Sequence, residues 1–517
     1  MKKNLLTACL LLSIGFNHFS FSQISPYSKV INNLNPDGIQ TYASCQNDLG
    51  STVLVGEDLN GKGLVAMVDK NGELQWNKTW NILNSNGSPT FTSVINTADD
   101  GYLISGFCYS NQEEYTVYAK IDMNGDTIWT KTNTLSRVYS SIQTADNGYI
   151  MLGTEDVPGP IYNQISILKV NMVGDYEWSK SYTYNNKPCH GYSIKQKANG
   201  NYLIVGKITE EENNRNSGFL SEINSIGNII WVKTYFDEIN NRDSDAHDFQ
   251  VINDSIYILL NGWRSIIAKT DLSGNLDWAK EINGASGYSS FNYTMRKLRK
   301  TDNNDLLFIS GSEFSDYSKV DLNANSLLNA WMEINATDIF STEDDGILVV
   351  GNGPIMGVKK DVWRFNIGLI QMDETGYGVE CVESSTSSSS LIEIATNTIT
   401  FQEHSGGQPI SAQFEIGTVD LTMEDGCVDF TGSIGEASGI NSTIFPNPSN
   451  GHFTITLSQN MDGKIQILNN LGQIVVQKEI NELQFHLDME KHPKGVYYYQ
   501  IESKNQLISS GKIIIQK

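Results

Sequence analysis

At 517 residues the chain is long enough for three or four domains, and with 39% hydrophobic residues, 44 Gly and only 11 Pro it is neither disordered nor collagen-like. A formal net charge of −23 argues against nucleic acid as a partner, because that binding needs Lys and Arg to neutralise phosphates. Cations, neutral sugars and proteins stay open as ligands.

Lys2 and Lys3 precede an apolar run from Leu5 to Ile14, and the small residues Ser20 and Ser22 stand just before Gln23, which predicts a cleavable signal peptide over 1–22. That run is shorter than the roughly 20 residues of a spanning helix, and no later stretch reaches the length, so no transmembrane anchor is expected. Leu6-Thr7-Ala8-Cys9 has the form of a lipoprotein box, but cleavage there leaves Leu10 to Ile14 exposed. Removal of Cys9 with the signal leaves Cys45, Cys108, Cys189, Cys381 and Cys427, an odd number. Cys381 and Cys427 bracket one segment and are expected to pair. The other three read as small buried apolar residues, since no C-x-x-C spacing occurs.

Apolar runs ending in Gly recur at Val53–Gly56, Leu103–Gly106, Ile150–Gly153, Leu203–Gly206, Ile258–Gly262, Leu307–Gly311 and Leu348–Gly351. Each is followed by another apolar run, a turn of the form D-x-x-G and then a Trp, as in Asp122, Gly125 and Trp129. The sixth copy is stretched, from Asp321 to Trp331, and the seventh keeps Asp373 and Gly376 without a Trp. Written out, each copy is four short β-rich runs divided by turns. One such sheet cannot bury both faces, so seven stacked copies predict an all-β fold, a seven-bladed β-propeller over 23–383. The ring must close. Tyr27-Ser28-Lys29-Val30 stands one repeat before Trp76 and could supply the last outer strand; Val379 to Val382 is the competing candidate.

Beyond the repeats, a Ser-rich stretch and alternating runs over 384–430 predict a small β appendage held to the ring, and the Gly- and Ser-rich 431–443 predicts a linker. Residues 444–517 differ in charge: seven Lys against six acidic residues, whereas 23–443 carry 27 basic and 53 acidic. Their alternating runs fit a small β-sandwich. This domain opens Phe445-Pro446-Asn447-Pro448-Ser449-Asn450-Gly451, continues with ILNNLGQIVVQ around Gly472, then Lys494-Gly495-Val496-Tyr497, and finishes at Lys517. It resembles the type A C-terminal sorting domain of the Bacteroidetes type IX secretion system. The resemblance implies an immunoglobulin-like sandwich, the type IX machinery as partner, passage through the periplasm and across the outer membrane, and a sorting signal carried by Pro446, Asn447, Pro448, Gly451, Gly472, Gly495 and Lys517. The repeats likewise resemble the D-x-x-G-x-x-x-W propeller repeats that precede such domains; fold alone does not fix their function.

No G-x-S-x-G, H-E-x-x-H, Walker or G-x-G-x-x-G motif occurs. The D-x-x-G turns recur at hairpin spacing and lack the further oxygen ligands of a Ca²⁺ loop, so they read as tight turns. The second-to-third and sheet-to-sheet connections vary widely between copies and share one face of a propeller, which makes that face the candidate binding surface. Its acidic and aromatic residues, Glu113, Glu114, Glu155, Asp156, Glu210, Glu211, Trp263 and Tyr288, suit a glycan, a protein or a Ca²⁺-bridged ligand; solvated acidic loops are the plainer reading. His190 and His247 are the only histidines of the repeats and are expected just before the first strands of consecutive copies. With Asp243 and Asp245 they offer a mixed metal site, against which stands the reading as ordinary loop histidines. The expected function is a non-enzymatic secreted or surface binding protein. The rival is a polysaccharide hydrolase or lyase with two carboxylates at the channel mouth.

Overall fold

The computed structural model describes residues 26–516 except 34–37, 59, 83–88, 111–112, 136, 157–162, 210–214, 238–242, 263, 287–296, 312–314, 333, 343, 354–365, 377–381, 385–387, 412–413, 420, 426–441, 448, 458–461, 470–473 and 504–505. The expected signal peptide and the Cys381 and Cys427 pair lie outside the described residues. The described residues divide into two compact units, one ending at Asp425 and the other holding the C-terminal strands.

The first unit contains seven five-stranded antiparallel sheets among the described residues. In chain order, four consecutive strands build sheet 1 (39–82), sheet 2 (89–133), sheet 3 (137–183), sheet 4 (189–236), sheet 5 (244–286) and sheet 6 (298–332). Sheet 7 takes three strands from 335–372 and its fourth, Tyr27–Asn33, from the N-terminal end. The first strand of each sheet neighbours that of the next, and sheet 7 returns to sheet 1, so the sheets are blades of a closed β-propeller. Of the two closing candidates, the N-terminal run therefore closes the ring.

The repeated turn and Trp form the joints between blades. Asp122 Oδ1 accepts the N–H groups of Asn124 and Asp126, and Asn171, Asn224, Asp271 and Asp321 repeat the arrangement, which fixes a turn with a residue at positive φ, Gly in all but the Asp321 turn, where it is Ala324. The Gly then lies flat under the aromatic ring of the preceding blade. A Cβ on Gly125 would come within 2.7 Å of Trp76, and Gly174, Gly227 and Gly274 face Trp129, Trp178 and Trp231 in the same way. Tyr27 covers Gly72 and so takes the Trp place of blade 7. Tyr182 and Tyr235 donate their hydroxyls to the carbonyls of Gly227 and Gly274 at 2.6 and 2.7 Å. In blade 6 the place falls to Leu328, which covers Gly376, rather than to Trp331. Gly227→Ala, at φ 82° beneath Trp178, is expected to cost about 2 kcal/mol from αL strain and displacement of the ring; a denaturant midpoint equal to that of the parent would contradict this joint.

The expected appendage is β-structured and held to the ring, but it is not a separate body. Residues 382–425 circle the propeller against chain order and add the fifth, outermost strand to every blade. Val382–Ser384 pairs with sheet 6, Ser388–Leu391 with 5, Ala395–Ile399 with 4, Gln402–Ser405 with 3, Pro409–Ile410 with 2, Phe414–Gly417 with 1, and Leu421–Asp425 with Tyr27–Asn33 of sheet 7. These strands are short and mostly exposed, and apolar residues between or within them plug the clefts between blades: Val382, Ile394, Phe401, Phe414 and Leu421 each join a different core cluster. This belt covers the outer edges that a four-stranded blade leaves open to pairing with other chains.

The second unit is a sandwich of a three-stranded and a four-stranded sheet among the described residues, closed over Phe453, Ile455, Ile465, Ile467, Leu487 and Ile513. The opening motif is stitched to the terminal strand. Asn447 Nδ2 donates to Lys512 O at 2.8 Å and its Oδ1 accepts Ile514 N–H at 2.9 Å. Gly451, at φ 116°, lies where a Cβ would strike the Glu490 backbone. Pro446 follows a cis peptide bond, and Gly495 starts the strand that pairs with the last one. Pro448, Gly472 and Lys517 lie outside the described residues.

Candidate ligand-binding face

The first strands line the ring's axis, and in six blades the strand carries a one-residue bulge near the end that meets the variable connections: at Tyr42, Thr92, Tyr139, Tyr192, His247 and Thr337. A bulge turns its extra side chain away from the pleat. Three consecutive bulge residues meet in this way. Tyr139 meets Tyr192 edge-on at 6.2 Å between ring centroids, and Tyr192 lies nearly parallel to His247 at 5.1 Å and 15°. His190, two residues before Tyr192, stacks on it at 6.0 Å and 27°.

The two repeat histidines thus lie within their first strands rather than before them, and are not at equivalent positions. His247 matches Tyr192, while His190 matches Asp245. The fold does bring them together, but with the Tyr192 ring stacked on both. Asp245 pairs with Lys207 at 3.2 Å, and Asp243 accepts Asn216 N–H at 2.9 Å. Among the described residues the donor atoms of His190, His247, Asp243 and Asp245 do not converge on one point; the group that does is His452, Asp488 and Glu490, all exposed on the C-terminal unit.

Electrostatics hold the His190 imidazole neutral. Burial foremost, then the cations Lys207 and Arg137, pull its pKa down to about 3. Burial pushes the Asp245 carboxyl up despite the Lys207 ammonium. A histidine whose folded pKa is depressed contributes stability above its unfolded value near 6.5 and loses it as pH falls towards 3. Between pH 7.5 and 5 the propeller is therefore expected to lose about 2 kcal/mol through His190. Denaturant midpoints at the two pH values should show a smaller loss in His190→Gln; an equal loss would contradict the assignment.

The predicted acidic residues do not converge. Arg137 grips Glu114 through Nε at 2.9 Å and Nη2 at 2.6 Å, and lies over the Phe107 ring. Glu155 accepts from Gln164 and Ser181 at 2.6 and 2.9 Å, and Glu113 is exposed and accepts the Tyr115 hydroxyl. Asp156 ends a strand beside them; its side chain, with Glu210, Glu211, Trp263 and Tyr288, lies outside the described residues. Deeper along the axis is a set that sequence reasoning missed. Arg299 holds Asp338 through two Nη2 contacts of 2.8 and 2.9 Å, and Asp248 accepts Ser193 Oγ at 2.7 Å and Leu298 N–H at 3.0 Å. Burial would raise the Asp248 carboxyl, but Lys195, Lys297 and Arg299 outweigh it and hold it below the ordinary range. These carboxylates are structural ties. Cys45, Cys108 and Cys189 are buried free thiols, the last two pushed up to about 12 mainly by burial, and so inert.

Residues 443–516 match the family model described as "Secretion system C-terminal sorting domain". They are a type IX sorting domain of the Bacteroidetes kind, and the protein is exported to the cell surface or secreted. No described helix is long and apolar enough to cross a membrane. Residues 96–250 match the model described as "Arylsulfotransferase (ASST)", less than a third of the chain. A curated relative, ulvan lyase NLR42 of Nonlabens ulvanivorans, is 32% identical over 73 residues, 14% of this chain and 14% of that protein. Among solved structures, PorZ, a surface component of the type IX secretion system of Porphyromonas gingivalis, shares 10% identity at TM-score 0.38, over 92% of this chain and 59% of PorZ. The periplasmic gluconolactonase PpgL of Pseudomonas aeruginosa shares 9% at TM-score 0.30, over 75% of this chain and 99% of that one. At these scores neither likeness bears on what this chain binds.

Proposed function

We propose that this is an exported binding protein whose propeller holds a glycan or protein ligand at the variable-loop mouth of its axis, without transforming it. The observation that carries this reading is the stack of Tyr139, Tyr192, His247 and His190, flat rings whose hydroxyl and nitrogen edges can hydrogen-bond. The described carboxylates around it are each held by a different partner, so the converging acid and base of a glycosidase are not found among them. In sequence, Glu210, Glu211, Trp263 and Tyr288 fall in the variable connections between strands. On arrays of glycans and matrix proteins, with Ca²⁺ and with a chelator, the mature chain should capture a probe and release no reducing sugar. Tyr192→Ala, and separately Trp263→Ala with Glu210→Lys and Glu211→Lys, should weaken capture at least tenfold. Undiminished capture by both variants would reject this face.

One observation favours a second reading. The span that matches the arylsulfotransferase model contains Arg137, His190, Lys207 and His247, and a neutral imidazole beside two cations suits an anionic ester. Release of p-nitrophenol from p-nitrophenyl sulfate with a phenol as acceptor, lost in His190→Gln, would replace binding by sulfuryl transfer; no release would leave the binding reading in place.

A further inference from the structure

On the opposite face of the ring, the short turns carry a repeated lock. Lys120 and Lys169, each the penultimate residue of a third strand and 2% exposed, reach the turn acid of their own blade, Asp99 at 2.8 Å and Asp146 at 3.0 Å. Sheet 4 makes the same tie with charges reversed, Glu222 to Lys197 at 2.9 Å. Sheet 7 keeps the turn acid, Asp344, which accepts Thr342 Oγ1 at 2.5 Å as Asp99 accepts Thr97. In the lysine's place it has Gln371, and sheet 1 has Met67 there. The lock is thus missing in the adjacent sheets 7 and 1, while in sheet 5 Lys269 pairs with Asp277 of the fourth strand instead.

A cavity of about 270 Å³ opens at that junction. Asn47 and Asp48 from the turn of sheet 1, Lys70, Asp302 of sheet 6, Thr342 and Gln371 line it. Gln371 is 2% exposed, and its Nε2 finds no hydrogen-bond partner among the described residues. A buried amide N–H without an acceptor is costly; as the side chain stands this one is shut off behind the cavity wall, and a turn of the Gln371 amide would bring it to an occupant that accepts. The remaining lining mixes carboxylate acceptors, an ammonium, an amide and a hydroxyl. A ring bearing several hydroxyls, each able to donate and accept, satisfies such a wall, whereas an anion meets Asp48 and Asp302 and a cation meets Lys70. The volume lies just under the roughly 300–1,000 Å³ of sites for larger ligands, which fits one ring.

We propose that this cavity is a second binding site, for a single polyhydroxylated ring such as a monosaccharide or the end residue of a glycan. It is independent of the site at the variable face. The test is saturation-transfer NMR and calorimetry on the mature chain, with a panel of neutral hexoses and their methyl glycosides. The methyl glycosides stand for a chain end, and free sugars binding without them would mark a site for the free monosaccharide. At least one probe is expected to bind saturably with a Kd of about millimolar. Gln371→Lys restores the lock of sheets 2 and 3, so it should fold with an unchanged or higher denaturant midpoint while weakening binding at least tenfold; Asp302→Ala should weaken it too. Absence of saturable binding across the panel would overturn the proposal. So would binding that survives Gln371→Lys and is lost in Tyr192→Ala, which would place the sugar on the other face.

Discussion

Deleting residues 23–33 should abolish cooperative folding of the propeller while leaving the sorting domain intact. The strand Tyr27–Asn33 pairs on both sides, with Ile367–Met372 and with Leu421–Asp425, and buries Val30 and Ile31 at 2% and 0% exposure. Its loss opens blade 7, uncovers Gly72 and strands the last turn of the belt. That exceeds what a fold of roughly 5–15 kcal/mol net stability can absorb. The gentler variant Ile31→Asp places a carboxylate in a fully buried site and is expected to cost about 4 kcal/mol or more. Eight of the nine Trp fall within 1–353, a span of the first unit, and 444–517 hold none, so tryptophan fluorescence in guanidinium reports chiefly the first unit and not the sorting domain. A deletion variant with the parent's fluorescence midpoint would refute closure by this strand.

Phe401→Ala should remove about 3 kcal/mol from the same transition and expose the belt to exchange. Phe401 is 5% exposed and meets Phe219 edge-on at 5.2 Å and Tyr184 at 6.5 Å. It stands between Ala395–Ile399 and Gln402–Ser405, whose own side chains are largely exposed. With so little else buried nearby, the plug holds the strands, and amides of 395–405 should lose hydrogen-exchange protection in the variant before those of sheets 3 and 4. A loss under about 1 kcal/mol with protection unchanged would show that the belt does not depend on its plugs.

The ring was legible because three physical needs repeat in the sequence: the Gly that ends the second strand, the turn that needs positive φ, and the ring that covers it. Blade 6 blurred the pattern because Ala324, at φ 54°, and Leu328 fill those two roles. The belt was not legible as a belt because its strands are two to five residues long and lie on edges, where no alternation of burial marks them. One signal was present: strands begin at 388, 395, 402 and 409, one every seven residues, a step that reaches from blade to blade along the rim. The histidine pairing went astray by two residues because a bulge shifts register without changing composition. Tyr42, Thr92, Tyr139, Tyr192 and Thr337 all stand fourteen residues before the Gly of their copy, and His247 fifteen before Gly262, so aligning on that offset finds Tyr139 and Tyr192 and comes within one residue of His247. Lys195, Asp248, Arg299 and Asp338 escaped notice because a charged residue in a strand reads as exposed unless its partners across the axis are known.

The claim that the stacked floor is the binding surface is tested most directly by imidazole NMR of the mature chain saturated with the first glycan or protein it captures. The account predicts that the His190 and His247 resonances shift together with the Tyr192 ring, while those of His452, His486 and His492 in the sorting domain stay in place. Shifts confined to the sorting-domain histidines, with His190 and His247 unmoved at saturation, would contradict it.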